Sequence, residues 1–341
     1  MVEQYIRPYI RELVPYSTAR DEYSGNGSVF LDANENPFQR GANRYPDPHQ
    51  KALKEAVSRL KKVALDSIFL GNGSDEAIDL LVRVTTTDRG GVTIMPPTYG
   101  MYKVATLNNG VPLIEAPLQP DFSLDIEAIK RANEEGSQLL FLCSPNNPTG
   151  NQYSLEEIET VLRSFKGIVV VDEAYIDFAK GPSATLLLPR YDRLVVLQTF
   201  SKAWGMAGAR VGVAFASPLL IVAMNKLKLP YNISALNQAY ILKGLERADE
   251  TIRDIEALTT ERARLTRELE SLEVIQRVYP SEGNFVLVRV SNAQAAFCRL
   301  QERGVIVRDR SKELHCAECL RITIGTKEEN DRVIAALREN I

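Results

Sequence analysis

The sequence has few of the residues on which metal clusters, serine hydrolases and disulfide scaffolds depend. It contains two histidines and four cysteines, which are His49, His315, Cys143, Cys298, Cys316 and Cys319. Two histidines cannot form a histidine-rich metal cluster, and neither lies beside the Gly-x-Ser-x-Gly turn of a serine hydrolase. Four cysteines are too few for a disulfide scaffold of this length and favour a reduced, cytoplasmic protein.

The sequence also lacks a strong excess of either charge and any long apolar run. Its 41 Lys and Arg residues against 44 Asp and Glu residues give a net charge of −3, which does not support nucleic-acid binding. No apolar run reaches the roughly 18 residues of a membrane span, and we expect no signal peptide. An apolar fraction of 45% and a charged fraction of 25% are ordinary for a folded globular protein.

Short apolar runs alternate with helical patterns through the first two thirds of the chain. The runs cover residues 68–70, 92–95, 111–114, 139–143, 168–171, 194–197 and 211–215. Such runs are typical of strands buried on both faces, so the pattern predicts an α/β domain with a mostly parallel sheet. Pro48 predicts the start of a helix over 48–62, and Ser154-x-x-Glu157 predicts a capping box.

The last third of the chain has a different pattern. Residues 248–272 predict one long, charged helix with an apolar stripe. Shorter elements follow, predicted as strand 284–290, helix 292–303, strands 305–308 and 320–324, and helix 327–338. We therefore expect an N-terminal arm and part of a small domain in 1–43, a large domain in 44–247, and a small α+β C-terminal domain in 248–341.

Several polar side chains follow the predicted strands, where open α/β sheets bind ligands. They are Asn147, Asp172, Lys202 and Arg210. A desolvated lysine has a lowered pKa and can form a Schiff base, although Ser201-Lys202 alone is also consistent with a solvated loop. An acid at the end of an apolar strand needs a cation, and a protonated pyridine nitrogen would be one.

These residues lie within longer motifs that resemble a known superfamily. The motifs are Asp32 to Pro37, Arg44 to Pro48, Gly71 to Glu76, Pro96 to Tyr102, Ser144 to Gly150, Asp172 to Tyr175, Ser201 to Gly212, Lys228 to Gln238 and Leu320 to Gly325. The chain resembles the fold type I, pyridoxal-phosphate-dependent aminotransferases, and within them the histidinol-phosphate aminotransferase family. The resemblance implies a large domain with a mostly parallel seven-stranded sheet flanked by helices, a smaller α+β domain, and a homodimer.

The resemblance also implies roles for individual residues around pyridoxal 5′-phosphate. Lys202 would form the Schiff base and shuttle a proton, and Asp172 would pair with the ring nitrogen. Asn147 and Tyr175 would bind the phenolate oxygen, and Tyr99 would stack on the ring. The implied phosphate contacts are Gly73, Ser74, Asp75, Ser201, Arg210 and, from the other subunit, Tyr45. The implied substrate contacts are Tyr16, Arg308 and Arg321, and no metal is expected.

The implied reaction interconverts L-histidinol phosphate and 2-oxoglutarate with imidazole-acetol phosphate and L-glutamate, a step of histidine biosynthesis. The alternatives are an aromatic amino-acid aminotransferase and a threonine-phosphate decarboxylase on the same frame. A regulator with an aminotransferase-like domain is disfavoured, because the first 40 residues show no helix-turn-helix pattern and no basic cluster. Cys316-x-x-Cys319 has no second pair to complete a zinc site and is interpreted as incidental.

Overall fold

The computed structural model describes residues 2–18, 27, 29–86 and 90–338. The strands are β1 (Ile68–Asn72), β2 (Gly91–Ile94), β3 (Leu113–Glu115), β4 (Ser137–Cys143), β5 (Ile168–Asp172), β6 (Leu194–Thr199), β7 (Val211–Ala216), β8 (Ile275–Val278), β9 (Phe285–Val290), β10 (Arg308–Asp309) and β11 (Cys319–Thr323). The helices are α1 (Pro8–Glu12), α2 (Lys51–Lys61), α3 (Ser74–Thr85), α4 (Met101–Asn108), α5 (Ile126–Glu134), α6 (Leu155–Ser164), α7 (Pro218–Leu227), α8 (Ala235–Leu245), α9 (Ala248–Glu270), α10 (Ala293–Glu302) and α11 (Lys327–Arg338).

The larger sheet has seven strands in the order β1-β7-β6-β5-β4-β2-β3. Only β7 runs against its neighbours, and the other strand pairs are parallel. Helices cover both faces, because Leu140 and Leu142 of β4 pack into one apolar core while Leu139 and Phe141 pack into another. The predicted mostly parallel, seven-stranded sheet is confirmed.

The smaller sheet has four antiparallel strands in the order β10-β11-β9-β8. Residues from α9, α10 and α11 pack with it into a separate apolar core. The sequence pattern does not predict β8, because β8 is an edge strand in which only Val278 is buried. The strand predicted over 305–308 is displaced, since β10 (Arg308–Asp309) shares only Arg308 with it. The domain boundaries after residues 43 and 247 stay predictions.

Two predicted helix starts have different outcomes. The capping box of α6 is confirmed, since Ser154 and Glu157 each accept a hydrogen bond from the other's backbone N–H. The start predicted at Pro48 is wrong, because α2 begins at Lys51. The Asp47 carboxylate accepts backbone hydrogen bonds from His49 at 2.9 Å and Lys51 at 2.8 Å, so Pro48 lies in the turn before the helix.

No helix in the described part of the chain is long and apolar enough to cross a membrane.

Candidate active site

A cavity of about 460 Å³ opens at the carboxyl ends of the parallel strands. Asp172 is the last residue of β5, and Lys202 follows β6 by three residues. The small sheet contributes one wall from β10 and β11. Eleven of the residues proposed from the sequence line this cavity, namely Ser74, Asp75, Tyr99, Asn147, Asp172, Tyr175, Ser201, Lys202, Arg210, Arg308 and Arg321.

Asp172 is a buried carboxylate held by two hydrogen bonds. Its Oδ1 accepts from the backbone N–H of Ala174 at 3.0 Å, and its Oδ2 accepts from the hydroxyl of Tyr102 at 2.6 Å. Burial raises the pKa of Asp172, and the Tyr102 bond opposes that rise. No basic side chain among the described residues forms an ion pair with Asp172. This carboxylate therefore fits a ligand that brings a cationic ring nitrogen to it.

Lys202 lies in the loop after β6 and remains accessible from the cavity. The surrounding walls desolvate its amine, and Arg321 adds a nearby positive charge, so the pKa of Lys202 is lowered. Its Nζ lies 5.8 Å from the centre of the Tyr175 ring. A lysine whose charge is disfavoured supplies a neutral amine, which is both a nucleophile and a base.

Asn147 forms hydrogen bonds with both Tyr175, a predicted cofactor contact, and Arg321, a predicted substrate contact. Its Nδ2 donates to the Tyr175 hydroxyl at 3.4 Å, and its Oδ1 accepts from Nη1 of Arg321 at 2.5 Å. Tyr175 is also buried against Phe285 of β9, and burial raises the pKa of its hydroxyl. The small sheet is therefore linked directly to the proposed catalytic wall.

A second group of residues forms a cradle at the start of α3. Gly73 precedes the helix with φ +75°, and its N–H donates to the carbonyl of Arg210 at 2.8 Å. Arg210 Nη2 lies 3.3 Å from Oδ2 of Asp75, and the Tyr99 hydroxyl donates to the other oxygen of Asp75 at 3.2 Å. Ser201 reaches the same cavity. A helix N-terminus beside an arginine and a serine suits a phosphate group.

Three proposed residues do not line the cavity: Gly73, which forms the turn before α3, and Tyr16 and Tyr45. Tyr16 is 74% exposed, and Tyr45 stacks on Tyr231 with ring centres 4.4 Å apart. Tyr45 borders a separate surface depression beside the N-terminal segment. The contact of Tyr45 with another subunit and the contact of Tyr16 with substrate stay predictions.

Tyr102 and Arg310 lie at or behind the cavity, and the sequence patterns predict no role for either. Tyr102 lies in the quoted motif that contains Tyr99, and its hydroxyl reaches Asp172 from the interior. Arg310 lines the cavity together with Arg308, from which it is separated by two positions. The alternation of side chains along a strand was the available signal for Arg310.

A metal centre is not supported in this region. The described residues contain no group of three or more His, Cys, Asp and Glu side chains able to hold a metal ion. The geometry instead combines an amine, a buried carboxylate, a phosphate cradle and an arginine-rich wall.

Comparison with known proteins finds relatives over nearly the whole chain. The model of a family described as aminotransferase class I and II matches residues 28–337. A histidinol-phosphate aminotransferase from Cytophaga hutchinsonii is 46% identical over 99% of this chain and 98% of that protein. A solved histidinol-phosphate aminotransferase from Sinorhizobium meliloti, in complex with pyridoxal 5′-phosphate, is 25% identical with a TM-score of 0.79, covering 87% of this chain and 82% of that one.

A solved histidinol-phosphate aminotransferase from Clostridium acetobutylicum supports the fold, with a TM-score of 0.80, 24% identity, and coverage of 87% of this chain and 90% of that one. The chain belongs to the class I and II aminotransferases. The resemblance indicated by the motifs is thereby confirmed. Within that family, the chain groups with the histidinol-phosphate aminotransferases.

Proposed function

We propose that this chain is a pyridoxal-phosphate-dependent aminotransferase that interconverts L-histidinol phosphate and 2-oxoglutarate with imidazole-acetol phosphate and L-glutamate. The observation that carries the proposal is the convergence of Lys202, Asp172, the α3 cradle and the two arginines Arg308 and Arg321 on one cavity. The similarity to relatives of that name over nearly the full length agrees with it.

The residues present fit pyridoxal phosphate. The buried Asp172 would pair with the ring nitrogen, and Asn147 and Tyr175 would donate hydrogen bonds to the ring oxygen. The backbone N–H groups of Ser74 and Asp75, with Ser201 and Arg210, would hold the phosphate. Gly73, whose N–H bonds to the Arg210 carbonyl, would shape the turn that presents them. Tyr99 would pack against the ring. When bound, the cofactor supplies an electron sink for the charge that develops at the substrate carbon.

Lys202 has two tasks in this proposal. Its amine, whose pKa is lowered, would hold the cofactor covalently and, when free, would accept the proton from the substrate Cα. Tyr175 stays protonated because burial raises its pKa, so it acts as a hydrogen-bond donor. Asp172 keeps the charge that the ring nitrogen requires, with the help of Tyr102.

Arg308 and Arg321 bind the anionic ends of the two substrates. They lie opposite each other in the β10–β11 pair and both face the cavity. Arginine forms two parallel hydrogen bonds with a carboxylate or a phosphate, so one wall can accept glutamate and an amino-phosphate in turn. Tyr16 would close over the substrate from the N-terminal segment.

The homodimer and the cytoplasmic location are also proposals. The N-terminal segment exposes large apolar side chains, among them Leu31 at 85% and Phe38 at 71%, which a second subunit would cover. Tyr45 lies in the same segment and would reach the neighbouring active site. All four cysteines are free thiols, which fits a reducing compartment.

Product analysis tests this function against its alternatives. The purified protein with pyridoxal phosphate and 2-oxoglutarate is supplied in turn with L-histidinol phosphate, L-phenylalanine, L-tyrosine and threonine phosphate. The proposal expects glutamate and imidazole-acetol phosphate, with the highest kcat/KM for L-histidinol phosphate. Higher kcat/KM for the aromatic amino acids, or release of carbon dioxide from threonine phosphate, would overturn it.

A further inference from the structure

Arg310 is a third arginine on the wall that carries Arg308 and Arg321. Arg308 lies opposite Arg321 in the ladder, and a backbone hydrogen bond of 2.9 Å from Arg310 to the carbonyl of Cys319 continues that ladder. Side chains alternate along a strand, so Arg310 lies on the same face as Arg308. All three arginines line the cavity.

Three guanidinium groups on one wall need more negative charge than their surroundings supply. Like charges opposite each other destabilise a sheet, and burial together with the charges of Arg310 and Arg308 lowers the pKa of Arg321. Within the described ranges, Glu313 is the one carboxylate paired with any of them, and its Oε1 accepts from Nη1 of Arg310 at 2.6 Å. The wall is therefore built for an incoming anion.

The polar atoms of this wall are also incompletely satisfied. Nε of Arg310, Nε of Arg321 and Oε2 of Glu313 are enclosed and have no hydrogen-bond partner in the described structure. Each enclosed polar atom left without a partner carries a free-energy cost. Bonds from the two arginines to a bound anion would recover part of that cost, and Arg310 could turn toward it by loosening its bond to Glu313.

We propose that the Arg310–Glu313 pair is a specificity device that favours a phosphate over a carboxylate at this wall. The proposal rests on the proposed function, in which both kinds of anion enter the cavity. A phosphate monoester carries about 1.5 to 2 negative charges and three acceptor oxygens, enough to bind all three arginines and draw Arg310 from Glu313. A carboxylate has one charge and two oxygens, so it binds Arg308 and Arg321 and leaves Arg310 with Glu313.

Half-reaction kinetics of the holoenzyme test this device. The apparent constants for L-histidinol phosphate and L-glutamate are compared in the wild type, Arg310→Gln, Arg310→Lys and Glu313→Gln. The matched control is Arg247→Gln, because Arg247 forms an exposed pair with Glu250 at the same spacing of three residues. All variants keep the residues that hold the cofactor.

Arg310→Gln is expected to raise KM for L-histidinol phosphate about tenfold, while KM for L-glutamate changes less than about twofold. Arg310→Lys should recover part of the loss, because it keeps the charge without the planar fork. Glu313→Gln should lower KM for L-glutamate, because it frees Arg310 for the carboxylate. Equal increases for both substrates in Arg310→Gln, or no change in either, would overturn the proposal.

Inorganic phosphate separates this proposal from the proposed function. In holoenzyme assayed with L-glutamate, phosphate should compete with the amino donor, and Arg310→Gln should weaken that inhibition about tenfold. If the wild type does not convert L-histidinol phosphate but phosphate inhibition still depends on Arg310, the proposed function fails and the anion preference stands. If L-histidinol phosphate is converted and phosphate inhibition ignores Arg310, the specificity device alone is refuted.

Discussion

The hydroxyl of Tyr102 donates a 2.6 Å hydrogen bond to Oδ2 of Asp172 from a fully buried position behind the cavity. Tyr102 is held there by stacking on Phe141 of β4, with ring centres 4.7 Å apart. The bond favours the charged form of a carboxylate whose pKa burial raises. Tyr102 is thus a positioning residue for Asp172 that does not itself line the cavity.

Tyr102→Phe should weaken the binding of pyridoxal phosphate about tenfold, because a charge-assisted hydrogen bond contributes about 1.5 kcal/mol. The dissociation constant is measured by equilibrium dialysis of the apoenzyme. Tyr153→Phe is the matched control, since the Tyr153 hydroxyl is also buried and donates to the carbonyl of Phe122 at 2.9 Å, outside the cavity. Equal weakening in both variants would show that only general stability changed.

The pKa of Lys202 should respond to Arg321. Desolvation is the largest cause of the lowered pKa, and the charge of Arg321 is the next largest. Arg321→Gln should therefore move the pKa of Lys202 upward, toward the ordinary lysine value. The measurement is the pH profile of modification of Lys202 in apoenzyme by an amine-selective reagent, read by peptide mass spectrometry. Lys202 should react at a lower pH than a lysine of ordinary pKa. A Lys202 profile that does not shift in Arg321→Gln would contradict the coupling.

Gly73→Ala should disrupt the phosphate cradle. A Cβ at Gly73 would lie 2.7 Å from Nη2 of Arg210, so Arg210 must leave its place beside α3. Gly110→Ala is the control, because Gly110 also has a positive φ of +64° but no atom within 4 Å of the added Cβ. Each variant should lose about 1–3 kcal/mol of stability from backbone strain, but only Gly73→Ala should bind the cofactor more weakly. Equal cofactor affinity in both variants would contradict the cradle.

Glu173 should make stability depend on pH. It is fully buried, and burial raises its pKa to about 7 from the model-peptide value of 4.5. The folded state therefore binds the Glu173 proton more tightly than the unfolded state does. This contribution to the free energy of unfolding, about 3 kcal/mol, is present at low pH and is lost as the pH rises from 4.5 through 7.

Thermal unfolding at pH 5 and pH 8 checks this sign. The midpoint of the wild type should fall, relative to that of Glu173→Gln, on going from the lower to the higher pH. Glu250→Gln removes an exposed carboxylate and should show no such relative change. A constant difference between wild type and Glu173→Gln, or a difference of opposite sign, would contradict the expectation.

The sequence predicts the large sheet well because strands such as β5 are apolar throughout and end at a polar residue. All five residues of Ile168–Asp172 are buried, so their pattern is consistent with a strand that is covered on both faces. The edge strand β8 could not be predicted in this way, because three of its four residues face solvent or are half-buried. The predicted start of α2 is wrong because an Asp-Pro pair occurs both in turns and at helix starts, and the sequence does not distinguish the two.

The residues of the candidate site also differ in how well the sequence predicts them. Residues that follow strands, such as Asp172 and Lys202, could be proposed from position in the chain. Tyr102 could not, because its partner lies 70 positions away and only packing brings them together. The Arg321–Asn147 contact spans 174 positions and joins the two sheets, which no local pattern encodes.

The most direct test of the account is a single turnover of the wild-type holoenzyme with L-histidinol phosphate and no oxo acid. We expect about one equivalent of imidazole-acetol phosphate per active site, with the cofactor recovered as pyridoxamine phosphate, and no product from Lys202→Ala. A full equivalent of product from Lys202→Ala would refute the role of Lys202. The absence of imidazole-acetol phosphate from the wild type would contradict the proposed function itself.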